Sequence, residues 1–530
     1  MYDYLIKNGM VIDGSGKDAV KQDIAIFKGK IEKISENIQG DAKEVIDASG
    51  AYVTPGFIDI HRHADIKLFQ PDFGEAELRQ GLTTIVNGNC GLSAVPCIQP
   101  YREEILSFLS SVIGGLDDAY SFETFGQYME VLKKQTLPLN VGMDVGNGTL
   151  RACVKGYATG PLGKEELGHA QSLLRQSLEA GALGVTLGIV YAPEYNYTLN
   201  EFVEVLQPMK DFNVPLVTHI RGEGDTFHKS INEVIEIARR LGVPLHISHF
   251  KCIGSRNWGH GMKRALEILD EARADGMDIS CDTYPYTAGS TQLIQILPPE
   301  YLEGGAEGIV RRLKNRELRD RLTEILKQPS DHFENLVDMV GFDNIVASAL
   351  NSPANEKFSG LSIREIARIK GMDPYECVYD LFIEENCNIS MIDHILSEDD
   401  VRMALSYPYC SLISDSIYPA KGLPHPRMYG AFTRMLRKYV RDEHLMSIEE
   451  AVRKMTTLPA KVYQLDKGFL AEGKDADLNI FRLQNIADPA TYENPKQFSQ
   501  GFDYVFVGGE PAVRKDKIVN KTLGKAILRK

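Results

Sequence analysis

Short apolar runs alternate with amphipathic stretches through the middle of the chain. The runs are typical of strands buried on both faces, and the stretches between them carry apolar residues three and four positions apart, as helices do. Strands that alternate with helices form a parallel sheet, and eight such units predict a closed (β/α)8 barrel of the TIM type, with its active site at the carboxyl ends of the strands. The eight predicted strands are 56–60, 83–87, 140–145, 183–189, 215–220, 244–249, 278–283 and 411–414.

The two ends of the chain have a different pattern. Residues 1–54 and 465–530 alternate polar and apolar positions between glycine-containing turns, which is typical of short antiparallel strands. Neither piece is large enough to bury a core alone. We therefore predict that both ends build one small β-sandwich domain beside a barrel domain of residues 55–464.

One connection in the barrel region is much longer than the others. Residues 297–405 separate the seventh and eighth predicted strands, and their apolar spacing at 309–326 predicts helices. An insertion of this length at the catalytic face is a candidate lid. A contact between copies in a homo-oligomer is the alternative, and the sequence does not decide between the two.

Charge and cysteine content narrow the possible partners and location. The formal net charge is -14 and the pI is about 5.5, which argues against nucleic acid or an anionic membrane as a partner. The eight cysteines form no Cys-x-x-Cys pair, and the chain shows neither a secretory signal nor an apolar stretch of membrane-spanning length. These features predict a cytoplasmic protein.

Metal-binding residue types follow several of the predicted strands. His61 and His63 stand two positions apart, so both imidazoles point to the same side of a strand. Imidazole and thiolate are preferred ligands of zinc, and four of the 12 histidines of the chain lie at predicted strand ends. The full set of candidate ligands is His61, His63, Cys90, His219, His249 and Asp415. Because all would meet at one face of the barrel, they predict a metal site.

Several of these motifs resemble a known family. The run TPGFIDIHRH at 54–63 resembles the opening signature of the metal-dependent amidohydrolase superfamily, and residues 467–481 are similar to the closing strand of its small β domain. Hydantoinase-like and dihydroorotase-like members carry a carboxylated lysine on strand four, where this chain has none. Four other motifs instead resemble the N-acyl-D-amino-acid deacylases (D-aminoacylases), in which a cysteine after strand two takes the bridging position. They are GNCG at 88–91, SHFK at 248–251, YPYTAGST at 284–291 and PHPR at 424–427.

The resemblance, which covers nearly the whole chain, implies a role for each ligand. Cys90, His219 and His249 would hold one tightly bound Zn²⁺. His61 and His63, with Asp415, would form a second metal site that is weaker or sometimes empty. Asp415 would also act as general base and acid, taking a proton from the attacking water and passing it to the departing amine. The implied reaction is hydrolysis of an N-acyl-D-amino acid to a carboxylate and a free D-amino acid.

The resemblance also implies substrate-binding residues. Lys251 and Arg427 would bind the α-carboxylate, since the parallel donors of arginine match two carboxylate oxygens. Tyr191, Tyr284 and Ser290 match positions that the family uses for substrate, although tyrosines at a barrel rim often only pack.

Other functions stay open at this point. A cyclic amidase of the hydantoinase or dihydropyrimidinase type and a dipeptidase acting on D-amino-acid-containing dipeptides are the alternative enzymes. A non-catalytic assembly protein is the alternative from another class, and the retained ligands argue against it. The preference for D over L substrates rests on the resemblance alone. An acidic substrate side chain would require a cation beyond Lys251 and Arg427.

Overall fold

The computed structural model describes residues 1–114, 121–419 and 421–529. Its central strands are parallel to one another and pair in the order in which they occur along the chain. They are Phe57–Asp59, Leu82–Asn87, Asn140–Met143, Val145–Gly146, Val185–Gly188, Leu216–His219, Leu245–Ile247, Ile279–Thr283 and Cys410–Leu412. The first three form one sheet and the other six form a second. Every strand predicted for this region coincides with an observed one.

Backbone hydrogen bonds also join the first and last parallel strands. The N–H of His63 donates to Ser416 O at 2.9 Å, and the N–H of Asp415 donates to His61 O at 3.0 Å. Asp144 alone separates the strands Asn140–Met143 and Val145–Gly146, which lie in different sheets. This α/β arrangement is consistent with the predicted (β/α)8 barrel and brings the carboxyl ends of its strands together.

Helices cover the outer faces of these strands. The helix Phe227–Leu241 shows why they form, because Ile231, Val234 and Ala238 recur on one face and are buried. It ends at Gly242, whose positive φ of 67° suits a left-handed helix cap. The remaining helices around the parallel strands are Glu75–Leu78, Arg102–Ile113, Phe125–Lys134, Asn147–Lys155, Lys164–Glu179, Leu199–Val205, His260–Ala274, Arg427–Arg434, Met435–Asp442, Ile448–Met455 and Thr457–Val462.

Strands from both ends of the chain form one nine-stranded sheet. Leu478–Phe481 pairs antiparallel with Tyr52–Pro55, which joins the two terminal regions as the alternating pattern predicts. The turn at Lys28 and Gly29 has positive φ at both residues, as a two-residue hairpin requires. The other strands of this sheet are Tyr2–Val11, Val20–Phe27, Lys30–Ser35, Ala42–Asp47, Phe502–Val507, Glu510–Arg514 and Lys517–Ile518.

The segment between the last two parallel strands has its own fold. Four strands form an antiparallel sheet in the order Ala288–Gln292, Ser390–His394, Ile345–Ala349 and Leu361–Ser362. The inserted sheet therefore starts before residue 297, the predicted start of the insertion, at a run whose Gly-Ser-Thr composition does not resemble a strand. Its helices are Pro299–Leu302, Gly305–Leu313, Arg316–Leu326, Leu336–Val340, Ile363–Lys370, Pro374–Glu384 and Glu398–Ser406. In the described parts of the chain, no helix combines the length and apolar character needed to cross a bilayer.

Candidate active site

All six predicted metal ligands are buried at the carboxyl ends of the parallel strands. Their donor atoms form three overlapping groups in which every atom lies within 4.8 Å of the others. The groups are His61 with His63 and Cys90, Cys90 with His219 and His249, and His61 with His249 and Asp415. The structure thus brings together residues that are far apart in the sequence, as the strand-end pattern predicts.

The separations between donor atoms suit a metal of the size of zinc. Cys90 Sγ lies 3.2 Å from His61 Nε2 and 3.5 Å from His249 Nε2. Asp415 Oδ1 lies 3.4 Å from His61 Nε2 and 3.5 Å from His63 Nε2. Tetrahedral zinc bonds of about 2.0–2.3 Å place neighbouring ligand atoms roughly 3.3–3.6 Å apart. The donor set and its spacing therefore fit a zinc centre.

The charge state of these side chains also favours a cation. Burial lowers the pKa of His219 and of His249 well below the usual value, which keeps both imidazoles in the neutral form that binds metals. Burial acts in the same direction on His61, but the charges of Cys90 and Asp415 raise its pKa overall. Burial acts to raise the pKa of Asp415, yet Arg427 and His61 hold it well below the usual range. Asp415 is thus ionised, and His219 and His249 are neutral, as metal ligands should be.

Three of these residues adopt a backbone conformation that side chains seldom take. The φ angles of Cys90, His249 and Asp415 are 55°, 34° and 50°. Such conformations cost on the order of 1–3 kcal/mol each and are concentrated at functional sites. On strand four, a Cβ at Gly188 would lie 1.9 Å from the carbonyl oxygen of Cys90. Glycine at this position therefore leaves space for the loop that carries Cys90.

Glu223 is a functional candidate that the sequence analysis missed. Its side chain is 5% exposed, and its Oε1 lies 3.0 Å from His249 Nδ1 and 2.6 Å from Lys251 Nζ. A neutral imidazole that binds a metal through Nε2 carries its proton on Nδ1, and Glu223 is placed to accept that proton. The signal available in the sequence is a carboxylate four residues after His219, in the loop that follows the strand.

Asp282 is a second carboxylate that was missed. It lies on the strand Ile279–Thr283 and is fully buried. Its Oδ2 lies 2.9 Å from His246 Nε2 and 3.8 Å from His61 Nδ1, and its Oδ1 accepts the backbone N–H of His249. Asp282 therefore links two candidate ligands to the parallel sheet. An acidic residue within a predicted buried strand is the feature that could have identified it.

Four of the five predicted substrate-binding residues line one cavity next to the candidate ligands. They are Tyr191, Lys251, Tyr284 and Ser290. Two of the hydroxyl groups already have partners, since Ser290 Oγ donates to Met391 O at 2.8 Å and Tyr191 Oη lies 3.1 Å from Thr291 Oγ1.

The fifth residue, Arg427, lies over the ring of Tyr284, with the guanidinium carbon 4.6 Å from the ring centre. Its Nη2 lies 2.9 Å from Asp415 Oδ2 and donates to Ser290 O at 3.1 Å. Within the described residues, Arg427 Nε, Arg427 Nη1 and Tyr284 Oη are buried without a hydrogen-bond partner. This part of the site therefore holds several polar groups that an anion could satisfy.

A buried site of histidine, cysteine and aspartate at the carboxyl ends of parallel strands is typical of metal-binding α/β proteins. Residues 44–513 match the model of the amidohydrolase family, and the chain belongs to that family. The family resemblance found in the sequence is thereby confirmed.

Several relatives match this chain over nearly its full length. The chain is 30% identical over 529 residues to a D-aminoacylase of Alcaligenes xylosoxydans xylosoxydans, covering 100% of this chain and 98% of the relative. It is 31% identical to an N-acyl-D-glutamate deacylase of the same organism, covering 96% of this chain and 93% of the relative. A solved N-acyl-D-glutamate deacylase from Bordetella bronchiseptica, complexed with zinc and a phosphonate that mimics the tetrahedral intermediate, superposes with a TM-score of 0.84 at 29% identity. That match covers 100% of both chains.

Proposed function

We propose that this protein is a zinc-dependent hydrolase that converts N-acyl-D-amino acids to a carboxylate and a free D-amino acid. The observation that carries the proposal is the position of the Cys90 thiol, which lies within 3.5 Å of two imidazoles beside a strand four that has no lysine. Full-length similarity to a D-aminoacylase supports the same activity.

The proposed ligands of the tightly bound zinc are Cys90, His219 and His249, and those of a second, weaker site are His61, His63 and Asp415. When bound, the metal supplies Lewis-acid chemistry that activates water and polarises the amide carbonyl. Glu223 accepts the Nδ1 proton of His249 and so leaves its Nε2 free for binding.

Asp415 is the proposed general base and acid. Its low pKa keeps the carboxylate ionised, and Oδ1 faces the imidazoles of His61 and His63. It accepts a proton from the attacking water and then delivers it to the amine, which leaves poorly unless it is protonated. Arg427 holds the other oxygen of Asp415 at 2.9 Å and so orients the carboxylate for both transfers.

The α-carboxylate of the substrate is the anion that we assign to the unpartnered groups of Arg427 and Tyr284 beside the cavity. Arg427 Nε and Nη1 and Tyr284 Oη are buried donors without partners in the described chain, and leaving such groups unsatisfied is costly. A carboxylate at this position would satisfy more than one of them. Lys251, Tyr191 and Ser290 line the same cavity and complete the proposed substrate site.

The remaining parts of the proposal concern architecture and location. We assign a (β/α)8 barrel to residues 55–464 and a small β-sandwich domain to residues 1–54 and 465–530. Four residues of the predicted insertion 297–405 line the cavity, Glu334, Leu336, Asp393 and Ile395, which supports a lid. Oligomer formation through this insertion stays a prediction. All eight cysteines are free, which supports a reducing cytoplasm.

A substrate screen of the zinc-loaded protein tests this function. We expect turnover of N-acetyl-D-amino acids and at least 100-fold lower kcat/KM for their L enantiomers. Hydantoin and dihydropyrimidine rings test the cyclic amidase, and dipeptides with a carboxyl-terminal D-residue test the dipeptidase. Faster turnover of either class than of the N-acetyl-D series, or a preference for L substrates, would contradict the proposal.

A further inference from the structure

The lining of the cavity next to the candidate ligands includes both aliphatic residues and carboxylates. Leu92, Val112 and Ile417 are among the aliphatic residues. We give the name acidic wall to the lining residues Ile253, Glu334, Leu336, Asp393 and Ile395. The N–H of Gly254 donates to Ile395 O at 3.1 Å, so the loop after strand six and the insertion meet at this wall. The acidic wall is therefore built mainly by the insertion.

Asp393 is the most strongly buried polar residue of the acidic wall. Its side chain is 3% exposed, it lines the cavity, and its Oδ1 has no hydrogen-bond partner in the described ranges. Burial raises the pKa of Asp393 to about 6, so the group is ionised above neutral pH. An unpartnered carboxylate oxygen at a cavity can accept a hydrogen bond from a donor on the molecule that binds there, and that bond would offset the cost of burying it.

Glu334 is the second carboxylate of this wall. Its Oε1 accepts the backbone N–H groups of Glu223 at 2.7 Å and Gly224 at 2.5 Å, which fixes the side chain at the cavity. Burial, together with the charge of Glu223, raises the pKa of Glu334 to about 7. At pH 8 both wall carboxylates therefore carry negative charge.

The cations near the cavity are already committed to other carboxylates. Lys251 pairs with Glu223 at 2.6 Å, and Arg427 pairs with Asp415 at 2.9 Å. The substrate α-carboxylate would also use these two cations. A second carboxylate, on the substrate side chain, would then face Asp393 without a cation to balance it.

Two other cationic side chains and one amide bear on the charge balance of the cavity. Arg256 pairs with Asp225 and, at 2.7 Å, with Asp338, and it does not line the cavity. Lys421 is exposed and donates to Asn351 O at 3.5 Å. The side-chain amide of Gln295 lines the cavity, but it is neutral and cannot offset a carboxylate charge.

We propose that Asp393 and Glu334 form the side-chain subsite and select substrates whose side chain ends in a hydrogen-bond donor over those whose side chain ends in a carboxylate. The inference rests on the proposed deacylase function and specifies its substrate class. It distinguishes this chain from relatives named for N-acyl-D-glutamate, although one of these is 31% identical to it. Amide and ammonium groups donate to ionised carboxylates, whereas a substrate carboxylate is repelled by them.

Substrates of matched length test the proposal at pH 8. We expect kcat/KM for N-acetyl-D-glutamine and N-acetyl-D-lysine to exceed that for N-acetyl-D-glutamate at least 100-fold, with N-acetyl-D-methionine between them. A kcat/KM for glutamate equal to or above that for glutamine would overturn the specificity alone. Absence of turnover of all four by the zinc-loaded protein would overturn the deacylase function and the specificity with it.

Two isosteric variants assign the selectivity to these residues. We expect Asp393→Asn and Glu334→Gln each to lower the glutamine-to-glutamate ratio, and the double variant to lower it at least tenfold. Lys421→Met, which changes an exposed cation outside the cavity, should leave the ratio unchanged. An unchanged ratio in a folded double variant would overturn the assignment. If the double variant does not fold, the single variants and the wild-type substrate order decide the question.

Discussion

Replacing Glu223 separates two effects that this carboxylate has on the site. Glu223 Oε1 is within reach of both His249 Nδ1, at 3.0 Å, and Lys251 Nζ, at 2.6 Å. Glu223→Ala removes the acceptor and the charge together. Glu223→Gln keeps an oxygen that can accept from both groups but removes the charge. Comparison of the two variants therefore distinguishes orientation of the imidazole from compensation of the lysine charge.

The structure sets the expected size of each effect. Loss of the partner that orients a metal-binding histidine weakens metal binding about 10–100-fold, or roughly 1.4–2.7 kcal/mol. We expect this loss of zinc affinity in Glu223→Ala and a loss of less than about tenfold in Glu223→Gln. Lys251 is 7% exposed, and removing the partner of a buried charge costs about 3–5 kcal/mol. Both variants should therefore have a lower free energy of unfolding.

The assay is competition for zinc with a chromophoric chelator at constant pH, combined with denaturant unfolding. Glu236→Gln is a matched control, because Glu236 forms an ion pair with Arg240 on the surface of a helix. It should leave both the zinc affinity and the free energy of unfolding essentially unchanged, because exposed ion pairs contribute little to stability. Zinc affinity in Glu223→Ala equal to that of the wild type would refute the reasoning that Glu223 orients His249 as a ligand.

Three further substitutions test other parts of the site. Asp415→Asn should lower kcat about 10²–10⁴-fold while zinc stays bound, and retained kcat would exclude Asp415 as the general base. Arg427→Lys should raise KM for N-acyl-D-amino acids about tenfold or more, because one ammonium cannot replace two parallel donors, and an unchanged KM would contradict the carboxylate assignment. Burial raises the pKa of Asp144 from 3.8 to about 8, so the folded protein keeps this proton up to about pH 8 while the unfolded chain loses it near pH 4. The resulting stabilisation is complete below pH 4 and is lost as the pH rises towards 8. The thermal midpoint of the wild type should therefore fall relative to that of Asp144→Asn between pH 5 and pH 8, and a constant difference would contradict the shift.

The strand ends could be predicted from the sequence because two regularities act together. Strands buried on both faces are continuous apolar runs, and the carboxyl ends of parallel strands meet at one face. His61, Cys90 and Asp415 could therefore be grouped although they are distant in the chain. The alternating pattern of the two terminal regions likewise predicts antiparallel strands, and strands of both regions share one sheet.

The carboxylates that contact a candidate ligand or line the cavity could not be predicted, because their positions depend on how the loops fold. Glu223 reaches His249 only through the path of the loop after strand five. Asp393 reaches the cavity only through the fold of the segment between the last two parallel strands. Residues 288–292 lack the apolar alternation of a strand and join a sheet through pairing with Ser390–His394. In each case the position is set by contacts between segments far apart in the chain.

Zinc titration of metal-free protein, with bound zinc and hydrolysis of N-acetyl-D-methionine followed together, tests the central claim most directly. We expect the first equivalent of zinc to restore turnover in the wild type, and we expect Cys90→Ala to lose both tight zinc binding and activity. Full turnover without zinc, or a Cys90→Ala variant that binds zinc as tightly as the wild type and remains active, would contradict the proposed metal centre.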